Sequence, residues 1–334
     1  PLEKWTQRQY YSFANLFARV AIKDGREPGD SIVFAKASGD IPHPRLLRPL
    51  PPTPLDGEPL PLDAPEDRRL HLARWLTSAQ NPYFARNLVS RVWANFFARG
   101  LVFPEDDLRA TNPSSNEELF RALVNDFVAH NFGVKHVIRT IMNSGTYQLA
   151  SDPTATNQTD NKYYSKYIVK RLSAEVILDA YSQIAGVPSA FKGYPHGMRA
   201  LELPDVEIDS QFLDSFGRPD RLVCDVGERS SDPSVAQALH VINGDTLNNK
   251  LRSEGSSINL FLQLGLSDRR ILEHVFLSAF SRYPTESERE SILAALRESR
   301  REQGPVEARR QARREALQDM MWALLTKKEF LFNH

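Results

Sequence analysis

The chain has 334 residues, 42 Lys+Arg against 42 Asp+Glu, 41% hydrophobic residues and one cysteine. Zero net charge supplies no global field that would draw it to nucleic acid or an anionic membrane. One cysteine excludes an internal disulfide and a Cys-based zinc cluster within the chain, and no apolar run approaches the roughly 18 to 20 residues of a membrane span.

The sequence opens on Pro1 with no charged-then-apolar signal segment, which reads as a processed product or a fragment. In WTQRQYYSFANLFARVAIKDG, Thr6 and Gln9 have the spacing of a capping box, which predicts a helix from about residue 7 to 22. Tyr10, Phe13, Ala14, Phe17 and Val20 would share one face, and Asp24-Gly25 would end it. SIVFAKASGD is rich in β-branched and aromatic residues and predicts one strand of a small hairpin near residues 31–48. Nine prolines between Pro42 and Pro65 then predict an extended segment, laid on the surface or linking two units, because proline fixes φ and lacks a donor. The chain thus divides into residues 1–41, a proline-rich 42–66 and a remainder, 67–334.

That remainder reads as helical. EDRRLHLARWLTS points Leu70, Ala73, Trp75 and Leu76 to a core, and FARNLVSRVWANFFARG continues to a stop at Gly100. Ser115 and Glu118 have capping-box spacing ahead of ELFRALVNDFVAHNFG, where Leu119, Phe120, Leu123, Val124 and Phe127 make a broad apolar stripe. VKHVIRTIMNSGTY and RLSAEVILDAYSQIAG repeat the pattern. Residues 187–232 hold few periodic signals, and so long an irregular stretch in a folded protein is usually functional. Asp232-Pro233 opens a further helix, and Thr285 with Glu288 caps one in an all-helical C-terminal part. RESRREQGPVEARRQARRE has interspersed acids and no aromatics, so it reads as a solvated helical hairpin rather than a phosphate-binding arm. The fold class is mainly α: a multi-helix globular domain with a minor β-hairpin and long irregular loops.

Three acids stand together in VFPEDDLRATNPSS: Glu105, Asp106 and Asp107, with Arg109 close behind. Neighbouring carboxylates shift one another's protonation and can divide acid and base roles, as glycosidases require. Asp106, Asp107 and Arg109 are therefore the candidate catalytic residues, although a salt bridge fixing the loop explains the same pattern. The eight histidines include no HExxH and no pair at i, i+4; His130 and His136 fall on different faces of a helix broken at Gly133. No metal site is assigned. The marks of serine hydrolases, P-loop enzymes and dinucleotide enzymes are also missing. Cys224 has Arg218, Arg221 and Arg229 near it in sequence, which would favour a thiolate. A buried structural thiol fits better, with those arginines pairing to Asp214, Asp220, Asp225 and Glu228.

NPYFARNLVSRVWANFFARGLVFPEDDL, KHVIRTIMNSGTYQLAS, KRLSAEVILDA, FGRPDRLVCDVGERSSDPSVAQALHVING, FSRYPTESE and ALLTKKEFLFNH resemble, in that order, domain-of-unknown-function family 1553, the planctomycete-associated family. The resemblance covers about residues 68–334, and PLEKWTQRQYYSFANLFARV resembles the tail of the companion family 1549. The chain departs from the family pattern at Asn116, which stands where a histidine is usual, and at Gly227, which replaces one of two tandem arginines. The resemblance implies a secreted or periplasmic protein associated with cytochrome c-like domains, and implies no established activity. It also implies a haem-attachment run immediately before the residues matching Pro1 to Trp5, which makes Trp5, Tyr10 and Tyr11 the candidate neighbours of a c-type haem held in an upstream segment. No cofactor is expected within the chain itself.

Three functions follow as expectations. The first is a redox-linked docking module beside that haem, with a cytochrome or envelope protein as partner. The second is a hydrolase or lyase acting on extracellular glycans through the carboxylates. The third is a structural role in an envelope assembly. None involves nucleic acid or a membrane span in this chain.

Overall fold

Thr6 and Gln9 close the expected box: the Thr6 hydroxyl accepts from the Gln9 amide at 3.3 Å, and the Gln9 side chain accepts from the Thr6 amide at 2.9 Å. In the computed structural model, which describes residues 4–27, 29–204, 208–219, 244–299 and 305–333, the helix so started is the first element of one of two compact units. Unit 1 comprises Pro1–Gln148 with Asp160–Tyr163, and unit 2 comprises Leu149–Thr159 with Tyr164–His334.

In unit 1, α1 (Gln7–Ala14) stops well short of residue 22. The reason is Asn15, fully buried, whose amide donates to the carbonyls of Ile41 and Leu50, both at 3.0 Å, and accepts from the Ile41 amide at 2.7 Å. Beyond it the chain becomes a strand: β1 (Val20–Asp24) pairs antiparallel with β2 (Ser31–Ala35), Ile22 opposite Val33. The partner of the predicted strand therefore lies upstream, at residues read as helix, because Val20 and Ile22 are β-branched and suit a pleated surface. Downstream, β3 (Pro42–His43) and β4 (Arg48–Pro49) form a second, two-residue pair.

The proline-rich segment packs within unit 1, burying Leu50, Pro52, Pro54 and Leu60. Its carbonyls have few local donors, since proline has no N–H. Arginines supply them: Arg19 donates to Leu62 and Ala64, and Arg68 to Leu62 and Asn15. Arg68 opens α2 (Arg68–Leu76), capped by Asp67, and the inward face of this helix is Arg68 and Leu72. Leu70 and Leu76, expected inside, are 52% and 38% exposed. Three helices make the rest of the unit: α3 (Phe84–Phe97), α4 (Glu117–Ala129) and α5 (Val134–Met142), each packed on the other two. They bury Val89, Trp93, Phe97, Phe120, Leu123, Phe127, Val137 and Ile141. The cap of α4 is Asn116, which accepts from the Leu119 amide at 3.0 Å; Ser115, the expected cap, instead donates to the Leu101 carbonyl.

Unit 2 is built on α6 (Ala174–Ala185), which packs against a 3-10 turn (Ala200–Glu202), α7 (Gln211–Ser215), α8 (Asp245–Arg252), α9 (Ser257–Gln263) and α10 (Asp268–Phe280). The long α12 (Val306–Leu325) packs on α8, α9, α10 and α11 (Glu286–Ser299). The Thr285–Glu288 box is present as expected. The chain ends through α13 (Lys328–Leu331) in β6 (Phe332–Asn333), paired with β5 (Lys170–Arg171). Tyr181 stacks on Phe330 at 5.6 Å, closing the core over that end. The fold is mainly α, as predicted. Arg218 pairs with Asp214 at 2.6 Å, also as expected, whereas Cys224 and the helix after Asp232-Pro233 lie outside the described residues.

Candidate functional site

The loop after α3 carries the predicted carboxylates. It folds back tightly at Gly100, where a Cβ would stand 2.4 Å from the Val102 carbonyl and 2.8 Å from both the Glu105 side chain and the Ser90 hydroxyl. That closure buries Glu105. Asp107 forms a two-pronged pair with Arg109, both contacts at 2.6 Å, and the guanidinium holds the Asp107 carboxyl below its usual range. Asn112 ties the loop further, donating to the carbonyls of Phe103 and Asp107. Asp106 stays on the solvent side, 4.0 Å from Arg91. Three adjacent acids thus have three environments: buried, clamped and open.

The predicted aromatics fall into two groups. Trp5 meets Tyr83 edge-on at 6.3 Å, and Tyr83 packs on Trp75 at 6.2 Å. Lys4 lies 4.4 Å over the Trp5 ring and pairs with Asp56, which also accepts from the Tyr83 hydroxyl at 2.6 Å. Tyr10 and Tyr11 sit on α1 instead, edge-to-face at 5.3 Å, with Tyr11 against His43. Tyr10 is 66% exposed.

The structure corrects the placement of the histidines. His130 is the C-terminal cap of α4, Asn131 and Phe132 turn the chain with φ of 52° and 57°, and α5 returns against α4. His130 and His136 are thereby stacked, ring centres 3.7 Å apart and 16° from parallel. Both face Asp126. His136 Nε2 is 2.7 Å from one carboxylate oxygen, and His130 Nδ1 is 3.2 Å from the other and 2.8 Å from the Asp126 carbonyl. The cluster escapes a search for helical spacing because the six-residue interval spans a turn. Asn131-Phe132-Gly133 was the available signal: a break that short brings the two flanking helices together.

Residues 68–296 match the model of the family described as "Protein of unknown function (DUF1553)". The chain belongs to this family. No curated protein and no solved structure matches it. The DUF1553 match starts at Arg68, includes the carboxylate loop and the histidine pair, and leaves the β1–β2 hairpin outside it.

The DUF1553 region also contains a buried cation, on α8. Lys250 borders a cavity of about 400 Å³ lined in part by Val187, Ser189, Gln211 and Asn249, and its ammonium donates to the Val187 carbonyl at 2.8 Å and the Ser189 hydroxyl at 2.9 Å. Burial lowers its pKa to about 8, against the opposing pull of Asp179. The folded value lies below the unfolded 10.5, so the folded state releases this proton first. The destabilisation is complete below about pH 8 and is relieved as pH rises towards 10.5. Relative to Lys250→Met, the wild type is expected to gain about 2 kcal/mol between roughly pH 7 and 9.5, read from urea midpoints. A stability difference that stays constant over that range contradicts the assignment.

Proposed function

We propose that the chain is a docking module of an extracytoplasmic redox assembly, with the β1–β2 hairpin as the face that seats a c-type haem domain. The observation that carries this reading is the hairpin's exposure: Ile22 is 70% exposed and Val33 55%, and the neighbouring Ile32 and Phe34 are also open. Strand pairing sets Ile22 opposite Val33 on one face, beside Asp24 and Ser31, and Ala21 opposite Phe34 on the other, beside Lys23 and Ile32, so each face carries an exposed apolar pair. A two-stranded ribbon is marginal by itself, and exposed apolar pairs of this kind are where a partner would pack. Each such side chain is worth about 1.5 to 3 kcal/mol when fully buried. A haem-bearing domain is the proposed occupant because the resemblance puts a haem-attachment run beside Trp5, in the unit that carries the hairpin.

Hydroxyl-radical footprinting tests this on the isolated chain and on the natively produced assembly. Phe34 and the nearby Phe17 are expected to lose labelling in the assembly; equal labelling in both contradicts docking through this face.

Carboxylate-based glycan cleavage is the competing reading, favoured by one observation, the solvent-facing Asp106. The Arg109 clamp keeps Asp107 ionised, which suits it to stabilising positive charge and unsuits it to donating a proton.

A further inference from the structure

We infer that Asp126, His130 and His136 form a binding site for a divalent first-row transition ion of the zinc, nickel or copper class. One ligand atom from each residue lies within 4.8 Å of those of the other two. Two imidazole nitrogens and one carboxylate oxygen suit these ions, and three protein ligands leave a position for water.

The three groups are held by packed helices rather than by a loose loop. Phe132, in the turn between them, packs edge-on against Phe127 of α4 and Phe84 of α3, while Val137 and Ile141 of α5 are buried. This fixes the α4–α5 hairpin, and with it the approach of His136 to Asp126. His130 Nδ1, the nitrogen that faces the carboxylate, also lies 2.8 Å from the Asp126 carbonyl, a contact it gives up when it turns to an ion. The side chains of His130, His136 and Asp126 are 51%, 33% and 35% exposed, so an ion can enter directly from solvent.

Two adjustments complete the geometry. Ligands about 2.0 to 2.1 Å from a tetrahedral ion lie about 3.3 Å from one another, whereas each imidazole here approaches its own Asp126 oxygen, His130 at 3.2 Å and His136 at 2.7 Å, so the carboxylate must turn to set one oxygen between them. The rings themselves must splay, because two imidazoles on one such ion have centres about 5 Å apart, against 3.7 Å here. His130 is the ring that can move, being half exposed at the helix end. Without an ion, the two imidazoles share one carboxylate; with one, each of the three contributes a donor.

The test is zinc titration of the full chain by calorimetry, with copper spin resonance as a second readout. One equivalent of zinc is expected to bind and to raise the unfolding midpoint. His130→Ala and His136→Ala are each expected to weaken binding by at least ~10-fold and to abolish the rise. Copper should show two coordinated imidazole nitrogens in the wild type and one in His130→Ala. His130 is exposed enough for that variant to fold, as circular dichroism would verify, and His196→Ala, remote in sequence, should bind as the wild type does. Absence of zinc uptake, or uptake unchanged in the His130→Ala/His136→Ala double variant, would overturn the site. This outcome is independent of docking through the hairpin, which uses none of these residues.

Discussion

Replacing Arg68 with leucine is expected to destabilise unit 1 by about 2 to 4 kcal/mol, from a buried carbonyl and a half-buried carboxylate left without their donor. The side chain is 1% exposed and pairs with Asp40, itself 31% exposed. It also donates to the Asn15 carbonyl at 3.0 Å and the Leu62 carbonyl at 3.1 Å. Leucine fills part of the volume but carries no donor, so the Asn15 carbonyl and the Asp40 carboxylate lose this partner, while the Leu62 carbonyl keeps Arg19. Lysine would keep the charge without the planar fork that reaches several acceptors at once, and should recover little. Urea unfolding followed by tryptophan fluorescence in a Trp322→Phe background reports on this unit, which contains Trp5, Trp75 and Trp93. A loss below about 1 kcal/mol would show that these contacts do not hold the proline-rich segment to the helices.

The second large effect belongs to unit 2. Phe276→Ala is expected to cost about 3 to 5 kcal/mol, the usual price of a fully buried phenyl ring. Phe276 is completely buried in α10, 5.2 Å from the Phe280 ring, and the Arg282 guanidinium lies 5.3 Å from its ring centre. That guanidinium grips Glu288 and Glu329, each through two contacts, and Glu288 also completes the Thr285 cap of α11. Losing the ring therefore opens a cavity and removes a wall behind the ionic cluster. Arg282→Ala should cost less, about 1 to 2 kcal/mol, because its side chain is 35% exposed and solvent screens it. The double variant should depart from additivity by at least ~0.5 kcal/mol, since the groups touch. Additive losses would mean that the ring and the cluster act separately.

Local chemistry was readable where the structure uses it locally. The Thr6–Gln9 and Thr285–Glu288 boxes are both present, and the apolar stripe of α4 supplies Phe120, Leu123 and Phe127 to the core. Misreadings came where a distant partner decides. Nothing in the helical spacing of Ala14, Phe17 and Val20 shows that Asn15 must turn aside to satisfy the backbone of Ile41 and Leu50. The inward face of α2 was missed because its largest buried residue is an arginine, which a hydrophobic pattern scores as solvent-facing. Asn116 caps α4, a role visible only once Ser115 is seen bonded to Leu101.

The same logic separates the functional candidates. Asp106, Asp107 and Arg109 were legible as a charge cluster, but sequence gives no sign that Arg109 takes Asp107 and leaves Asp106 open. The histidine pair escapes helical spacing because its geometry is made by a two-residue left-handed turn, of which the Asn131-Phe132-Gly133 break is the only sequence sign. The hairpin's exposure depends on what packs against it, which no strand propensity encodes.

Docking is tested most directly by a reduced-minus-oxidised visible spectrum of the assembly that residues 1–334, with no haem-attachment segment joined to them, capture from the native source. Wild type is compared with an Ile22→Asp/Val33→Asp variant. A c-type α band that accompanies the wild type and is lost with the variant is the predicted result. No band with either chain, or the same band with both, would contradict it.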